Sequence, residues 1–279
     1  MVVGAMERIT FGIGPVALGQ GGAGLRERFA KLMAKTLDLR VTLVTARSYT
    51  RLMRRCMSGE LDLAWLPPAV YVRVADQRER TRLLLGVERN PPGFYRGAIF
   101  TRPDSHIRTP EDLTDTVMGW VDPSSSAGFL FPRFALMAKG LHPDKMFAEE
   151  EFFRSHEAVV RAVESGKVDV GATYVRNVAD DPASEVLSAG WTDHGLEMRV
   201  IMESRTIPRD VVCSPSPLDE DMEQRVIQAF SKLHQDKDGA KVLTELLQVA
   251  RFVPADLADY QVVRSALNVA HLPIIGDDD

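Results

Sequence analysis

The sequence is poor in cysteine. Cys56 and Cys213 are its only two, and they lie far apart in the chain. That is too few for a disulfide framework, and the spacing offers no metal site, so both read as packed interior residues and not as reactive thiols. Positive charge is not in excess either. The 34 Lys and Arg against 39 Asp and Glu leave a net charge of -5, which excludes a general nucleic-acid binder, since polyanion binding needs a basic face. No apolar run reaches the roughly 18 residues of a membrane-spanning helix, so direct insertion into a bilayer is not expected. The start, Met1-Val-Val-Gly-Ala-Met-Glu-Arg8, lacks a basic region followed by a long apolar segment and a small-residue cleavage site. The chain as written is therefore expected in the cytoplasm, or outside it if an export signal has been removed. Also missing are a serine nucleophile elbow, an H-E-x-x-H, a paired-cysteine metal site and a P-loop lysine. No catalytic residue, metal or cofactor is expected.

What is present has the composition of an ordinary soluble domain, 45% hydrophobic and 26% charged, over a length that suits one large domain or two lobes. Strand and helix signals alternate. Ile9–Ile13 reads as a strand, Arg40–Thr45 as a second and Leu61–Trp65 as a third, with helices to about Leu37 and over Tyr49–Met57. That rhythm predicts α/β architecture with a parallel sheet. The glycine-rich turn Gly19–Gly24 between the first strand and helix lacks the context of a dinucleotide fingerprint. Phe94–Thr101 reads as the last strand of a first lobe, and Arg102–Leu113, polar and marked by prolines, as the crossing to a second. From Leu218 onward the pattern reads as helices alone, over 219–234, 239–247 and 254–269, amphipathic enough to pack on the first lobe. The Asp277–Asp279 end reads as a solvated tail.

One stretch draws attention as chemistry. Val117–Val121 is a short apolar strand, Asp122-Pro123 ends it, Ser124-Ser125-Ser126 follow, and a helix begins near Ala127. The first turn of a helix presents N–H groups without intrahelical partners, at the positive end of its dipole. Serine hydroxyls beside them would complete a cradle for an oxyanion such as phosphate, phosphonate, sulfonate or carboxylate. The alternative is a helix cap with turn-filling neighbours. His156, just after a natural N-cap at Ser155, stands at a second helix start and adds a ring N–H to the same kind of positive site, or is a surface histidine.

Several segments in order resemble the substrate-binding components of phosphonate, phosphite and phosphate ABC transporters. They are Ser58–Trp65 with its proline turn, Asp104–Leu113, Asp122–Pro132, Ser155–Asp169 and Ile207–Asp210. The resemblance implies an α/β, two-lobe type II periplasmic-binding-protein fold with a ligand cleft between lobes. Residues 1–101 plus 206–279 would form lobe 1 and 102–205 lobe 2. It further implies a non-catalytic solute-binding protein that closes on a small oxyanion ligand, with an ABC-transporter permease or a signalling partner reading closure. In the family the oxyanion sits on a serine-threonine-serine turn that maps to Ser125, Ser126 and Ala127, beside Ser124. Ala127 keeps the backbone donor and lacks a hydroxyl, a loss of about 1 kcal/mol, or about 1.5–3 if the bond is charge-assisted. His156 matches a family histidine that reaches the oxyanion. Tyr49 and Tyr95 match first-lobe aromatics that close over the ligand, and Asp210 matches an acid able to meet an amino group. Asn177 stands where aminophosphonate binders carry glutamate, so 2-aminoethylphosphonate is not the expected ligand. Other readings are a cytosolic enzyme on the same two-lobe fold, as in menaquinone-pathway enzymes and pyrimidine-precursor synthases, or an interaction module that has lost its ligand.

Overall fold

Apolar alternation and helix caps set the elements. In the computed structural model, which describes residues 8–14, 23–90 and 92–269, the chain begins with β1 (Arg8–Ile13), α1 (Ala23–Leu37), β2 (Arg40–Thr45), α2 (Tyr49–Ser58), β3 (Leu63–Leu66), α3 (Pro68–Gln77) and β4 (Arg82–Arg89). It continues through β5 (Phe94–Thr101), β6 (Val117–Trp120), a π-helical turn (Ser126–Leu130) running into α4 (Phe131–Ala138), α5 (Pro143–Met146), β7 (Glu149–Phe152), α6 (His156–Glu164) and β8 (Val170–Asn177). β9 (Val186–Ala189), β10 (Arg199–Glu203), β11 (Val211–Ser214), α7 (Glu220–Lys232), α8 (Lys237–Val242), β12 (Val249–Val253) and α9 (Gln261–Val269) follow. Most of the glycine-rich turn Gly19–Gly24, the N-terminal segment and the Asp277–Asp279 end lie outside the described residues.

The chain divides into two compact units, one from Met1–Pro92 with Arg209–Asp259 and one from Gly93–Pro208 with Tyr260–Asp279. The first holds a six-stranded sheet in the order β12-β4-β11-β3-β1-β2. β1 pairs in parallel with β2 and β3, while β11 runs antiparallel between β3 and β4, and β12 antiparallel on β4. The parallel expectation thus holds for β1 to β3 and not for the returning strands. Its core is a phenylalanine cluster, with Phe11 and Phe29 5.9 Å apart, Phe11 and Phe230 5.5 Å, and Phe230 and Phe252 4.9 Å. Both cysteines are buried in this unit, and burial pushes the Cys56 thiol up to about 12 and that of Cys213 well above its ordinary value. At pH 8 only about one Cys56 in ten thousand would be thiolate, against roughly a quarter of unfolded thiols. Native protein should therefore resist iodoacetamide at pH 8 and take up two equivalents once denatured. Rapid alkylation before unfolding would show that the thiols are not sealed.

The second unit's sheet runs β10-β5-β8-β6-β7, with β9 on β8. β6 pairs in parallel with β7 and β8, and β5 lies antiparallel between β8 and β10. Met118, Trp120, Phe129, Leu136, Ile99 and Ala172 form much of its core.

Three expectations change. β5 belongs to the second unit, because all of Phe94–Thr101 pairs with Asn177–Val170, so the boundary falls at Gly93 and not after Thr101. Val249–Val253 is a strand and not helix or linker, since its alternating apolar residues close the edge of the first sheet on β4. α9, expected on the first lobe, belongs to the second unit.

Candidate functional site

In the second unit, β6 ends in a tightly bonded turn. The Asp122 carboxylate Oδ1 accepts the Ser124 N–H at 2.8 Å, and the Asp122 carbonyl accepts that of Ser125 at 2.8 Å. Ser125 caps the helix that follows, its Oγ accepting the Gly128 N–H at 3.0 Å. One serine is thus a cap, as its helix-start position predicts, yet a hydroxyl that accepts keeps a proton to donate. The helix opens with a π turn, Leu130 N–H bonding the Ser125 carbonyl at 3.0 Å, a distortion common at functional sites. Ser124, Ser125, Ser126 and Ala127 are all buried, none above 2% exposed. Three serines buried together at a strand exit are costly to place unless they have polar work there.

β5 fixes where this turn lies. A Cβ on Gly97 would fall 2.6 Å from the Ala127 carbonyl oxygen and 2.8 Å from Pro132, so only glycine permits this approach. Gly97 is held in turn by Ser204, whose Oγ accepts its N–H at 3.0 Å and whose N–H meets its carbonyl at 2.8 Å.

His156 opens α6 behind its cap, Ser155, whose Oγ accepts the Ala158 N–H at 3.1 Å. Its Nδ1 lies 2.9 Å from Thr173 Oγ1, and its ring meets Tyr174 edge-on at 5.3 Å. Tyr174 stands 6.4 Å from Tyr95. When the Thr173 hydroxyl donates to Nδ1, Nε2 carries the N–H. The exits of β6 and β7 are bonded to one another, Phe153 N–H to the Trp120 carbonyl at 2.9 Å and Arg154 N–H to the Val121 carbonyl at 2.6 Å. The serine turn and His156 therefore leave the carboxyl ends of adjacent parallel strands, where open α/β sheets place their ligands.

Asn177 is fully buried, and its amide serves the protein: Oδ1 accepts from Arg96 at 3.2 Å, and Nδ2 faces the Ser184 carbonyl at 3.4 Å. It stands inside a hydrogen-bond network.

In the first unit, Tyr49 opens α2 behind Ser48, whose Oγ accepts the Arg51 N–H at 3.2 Å. It lines a pocket with Gly14, Trp65, Pro67, Arg89 and Asp210. The Asp210 carboxylate, expected to meet a ligand amine, accepts from Arg89 Nη2 at 2.5 Å and from Trp65 Nε1 at 3.1 Å. Arg89 also donates to the Leu247 carbonyl at 2.9 Å and lies over the Trp65 ring, 4.8 Å from its centroid.

The sequence reading missed Gly97, Thr173, Tyr174, Trp65 and Arg89. An isolated glycine inside a strand does signal close backbone approach. The partners of Asp210, 145 and 121 residues away along the chain, leave no local signal.

Known proteins agree with this architecture. A family described as "ABC transporter, phosphonate, periplasmic substrate-binding protein" matches residues 11–260. The phosphonates-binding periplasmic protein of Escherichia coli is 24% identical over 226 residues, covering 78% of this chain and 64% of that protein, so the match spans under two thirds of the relative's length. A binding protein component of an ABC phosphonate transporter from Pseudomonas aeruginosa superposes with a TM-score of 0.76 at 22% identity, over 98% of this chain and 91% of that one. PhnD1 from Prochlorococcus marinus, solved with methylphosphonate, gives 0.77 at 15% identity, over 96% and 99%. These likenesses show the periplasmic-binding-protein fold. With the match running through nearly the whole described chain, this protein belongs to the family of periplasmic substrate-binding proteins of phosphonate ABC transporters.

Proposed function

We propose that the chain is a non-catalytic solute-binding protein whose second unit holds a small oxyanion, phosphonate-like or phosphate-like, at Ser124–Ala127 with His156 beside it. The observation that carries this reading is the pair of helix starts at the bonded exits of β6 and β7, one opened by three buried serines and the other by a histidine. Backbone amides and hydroxyls at helix N-termini suit a tetrahedral anion without a lysine or arginine. Tyr95, expected on the first lobe, stands on β5 in the same unit, whereas Tyr49 stands in the first unit.

The family description is of a transporter's binding component and not of an enzyme. The family is described as periplasmic, and in this reading an ABC-transporter permease or a signalling partner reads occupancy. No helix among the described residues is long and apolar enough to cross a membrane.

Thermal melting of the purified chain with phosphate, phosphite and methylphosphonate tests the reading. A ligand at 100 times its Kd adds about 2.7 kcal/mol to stability. Ser126→Ala and His156→Ala should each weaken binding about tenfold or more while the ligand-free protein stays folded, since a hydrogen bond to a charged group contributes about 1.5–3 kcal/mol. No shift with any of these anions at millimolar concentration would overturn the proposal.

A further inference from the structure

We infer that Arg176 reads a second negative charge on the ligand, so that the second unit's site takes a phosphonate whose short tail ends in a carboxylate in preference to one with a neutral or cationic tail. The inference deepens the oxyanion-binding reading and rests on it.

The parallel strands β6, β7 and β8 present their carboxyl ends together. The serine turn leaves the first, His156 follows the second, and Arg176 stands near the end of the third. Register places the Arg176 side chain on the face that the serine turn covers. A Cβ on Gly97 would point at the Ala127 carbonyl, Tyr174 lies directly opposite Gly97, and Arg176 lies opposite Tyr95. Cross-strand partners share a face, as do residues two apart along a strand. The contacts agree: the Arg176 guanidinium lies 5.7 Å from the centroid of the Tyr174 ring, which His156 meets edge-on at 5.3 Å and Tyr95 at 6.4 Å. From Tyr174 to Arg176 the strand advances about 6.6 Å towards its carboxyl end. That is the scale of a phosphonate and an acid joined by one or two methylenes.

Charge makes an acid the favoured terminus. Arg176 is only 5% exposed, and a guanidinium withdrawn from water gains most from a carboxylate, which it can meet with two parallel N–H donors. Across the strand from it, Ser188 Oγ is buried and has no hydrogen-bond partner among the described residues. That hydroxyl is a further donor for an acid. An ammonium tail would meet the repulsion of the guanidinium. The buried Arg96 lies on the opposite face of the sheet, where Asn177 and Asp180 take its donors, so its charge serves the protein's own network.

Titration calorimetry on the full chain compares phosphonoacetate with phosphonoacetamide, which has nearly the same size and lacks the carboxylate charge, and with methylphosphonate as the reference without a polar tail. Wild type should bind the acid at least about tenfold more tightly than the amide, the scale of one charge-assisted hydrogen bond. Arg176→Met should abolish that preference, and Arg176→Lys, which keeps the cation, should retain most of it. A residue that only supported the sheet would weaken all three ligands alike and leave the ratio unmoved. Equal affinities for acid and amide in wild type overturn the inference whether or not any variant folds, as does a ratio that Arg176→Met leaves unchanged; should that variant not fold, Arg176→Gln gives the same reading. A wild type that binds none of the three overturns the inference together with the oxyanion reading, whereas methylphosphonate binding without a preference for the acid overturns the inference alone.

Discussion

Gly97→Ala is expected to weaken oxyanion binding about tenfold to a hundredfold without removing any group that would touch the ligand, the scale of losing one charge-assisted hydrogen bond. The new methyl would lie 2.6 Å from the Ala127 carbonyl oxygen and 2.8 Å from both Cδ and Cγ of Pro132. A backbone carbonyl and a proline ring cannot swing aside as the end of a long side chain can. On its other side β5 is fixed by the two Ser204 bonds. The serine turn must move, and overpacking of this kind costs about 1–3 kcal/mol of stability. Gly24→Ala is the control. It lies in α1 with nothing within 4 Å of its added methyl, so it should leave binding unchanged and gain up to about 1 kcal/mol of helix propensity. Wild-type affinity in Gly97→Ala, measured by calorimetry, would show that the turn's placement does not matter.

Arg96→Met should destabilise the second unit and sharpen its pH dependence. Arg96 is only 2% exposed, and it donates to Asn177 Oδ1 and to Asp180. Methionine leaves the buried Asn177 carbonyl without that donor, a loss of about 1–3 kcal/mol. Asp180, with a side chain 59% exposed, is rehydrated and adds little. Glu203 lies in the same network. Burial raises its pKa, opposed by the charge of Arg96 and a hydrogen bond with Asn177. A carboxyl raised in the folded state contributes stability that is full below its unfolded value and is lost as pH rises through its folded one. Without Arg96 the folded value climbs further. The variant's melting temperature should therefore fall more steeply than that of wild type as pH rises from the ordinary glutamate range towards neutral. Glu203→Gln in the same background should flatten the profile. Parallel melting curves for Arg96→Met and wild type across that range would contradict the account.

The sequence carried the parts of this molecule that are local. Ser155 is a cap because a serine precedes an amphipathic run, and the structure bonds it to the Ala158 N–H. The serine turn was legible for the same reason, a strand ending in Asp-Pro with a helix after it. Val249–Val253 was not, because a five-residue edge strand between helical segments takes its conformation from β4, 160 or so residues earlier, and not from its own propensity. The boundary at Gly93 was hidden likewise: Phe94–Thr101 reads as a strand, but which sheet it joins is decided by pairing with Val170–Asn177. Asp210 and Asn177 show the same limit at the level of chemistry. Their residue types suit ligand contact, and nothing local announces their distant partners, Arg89 and Arg96.

Amide chemical shifts of the ¹⁵N-labelled protein titrated with methylphosphonate test the central claim most directly, because they report which backbone groups meet the anion. The account predicts saturable shifts of the Ser126 and Ala127 amides together with the His156 ring, of which Ser126→Ala removes the greater part at equal ligand. Saturable binding that leaves those amides and the His156 ring unmoved would contradict it.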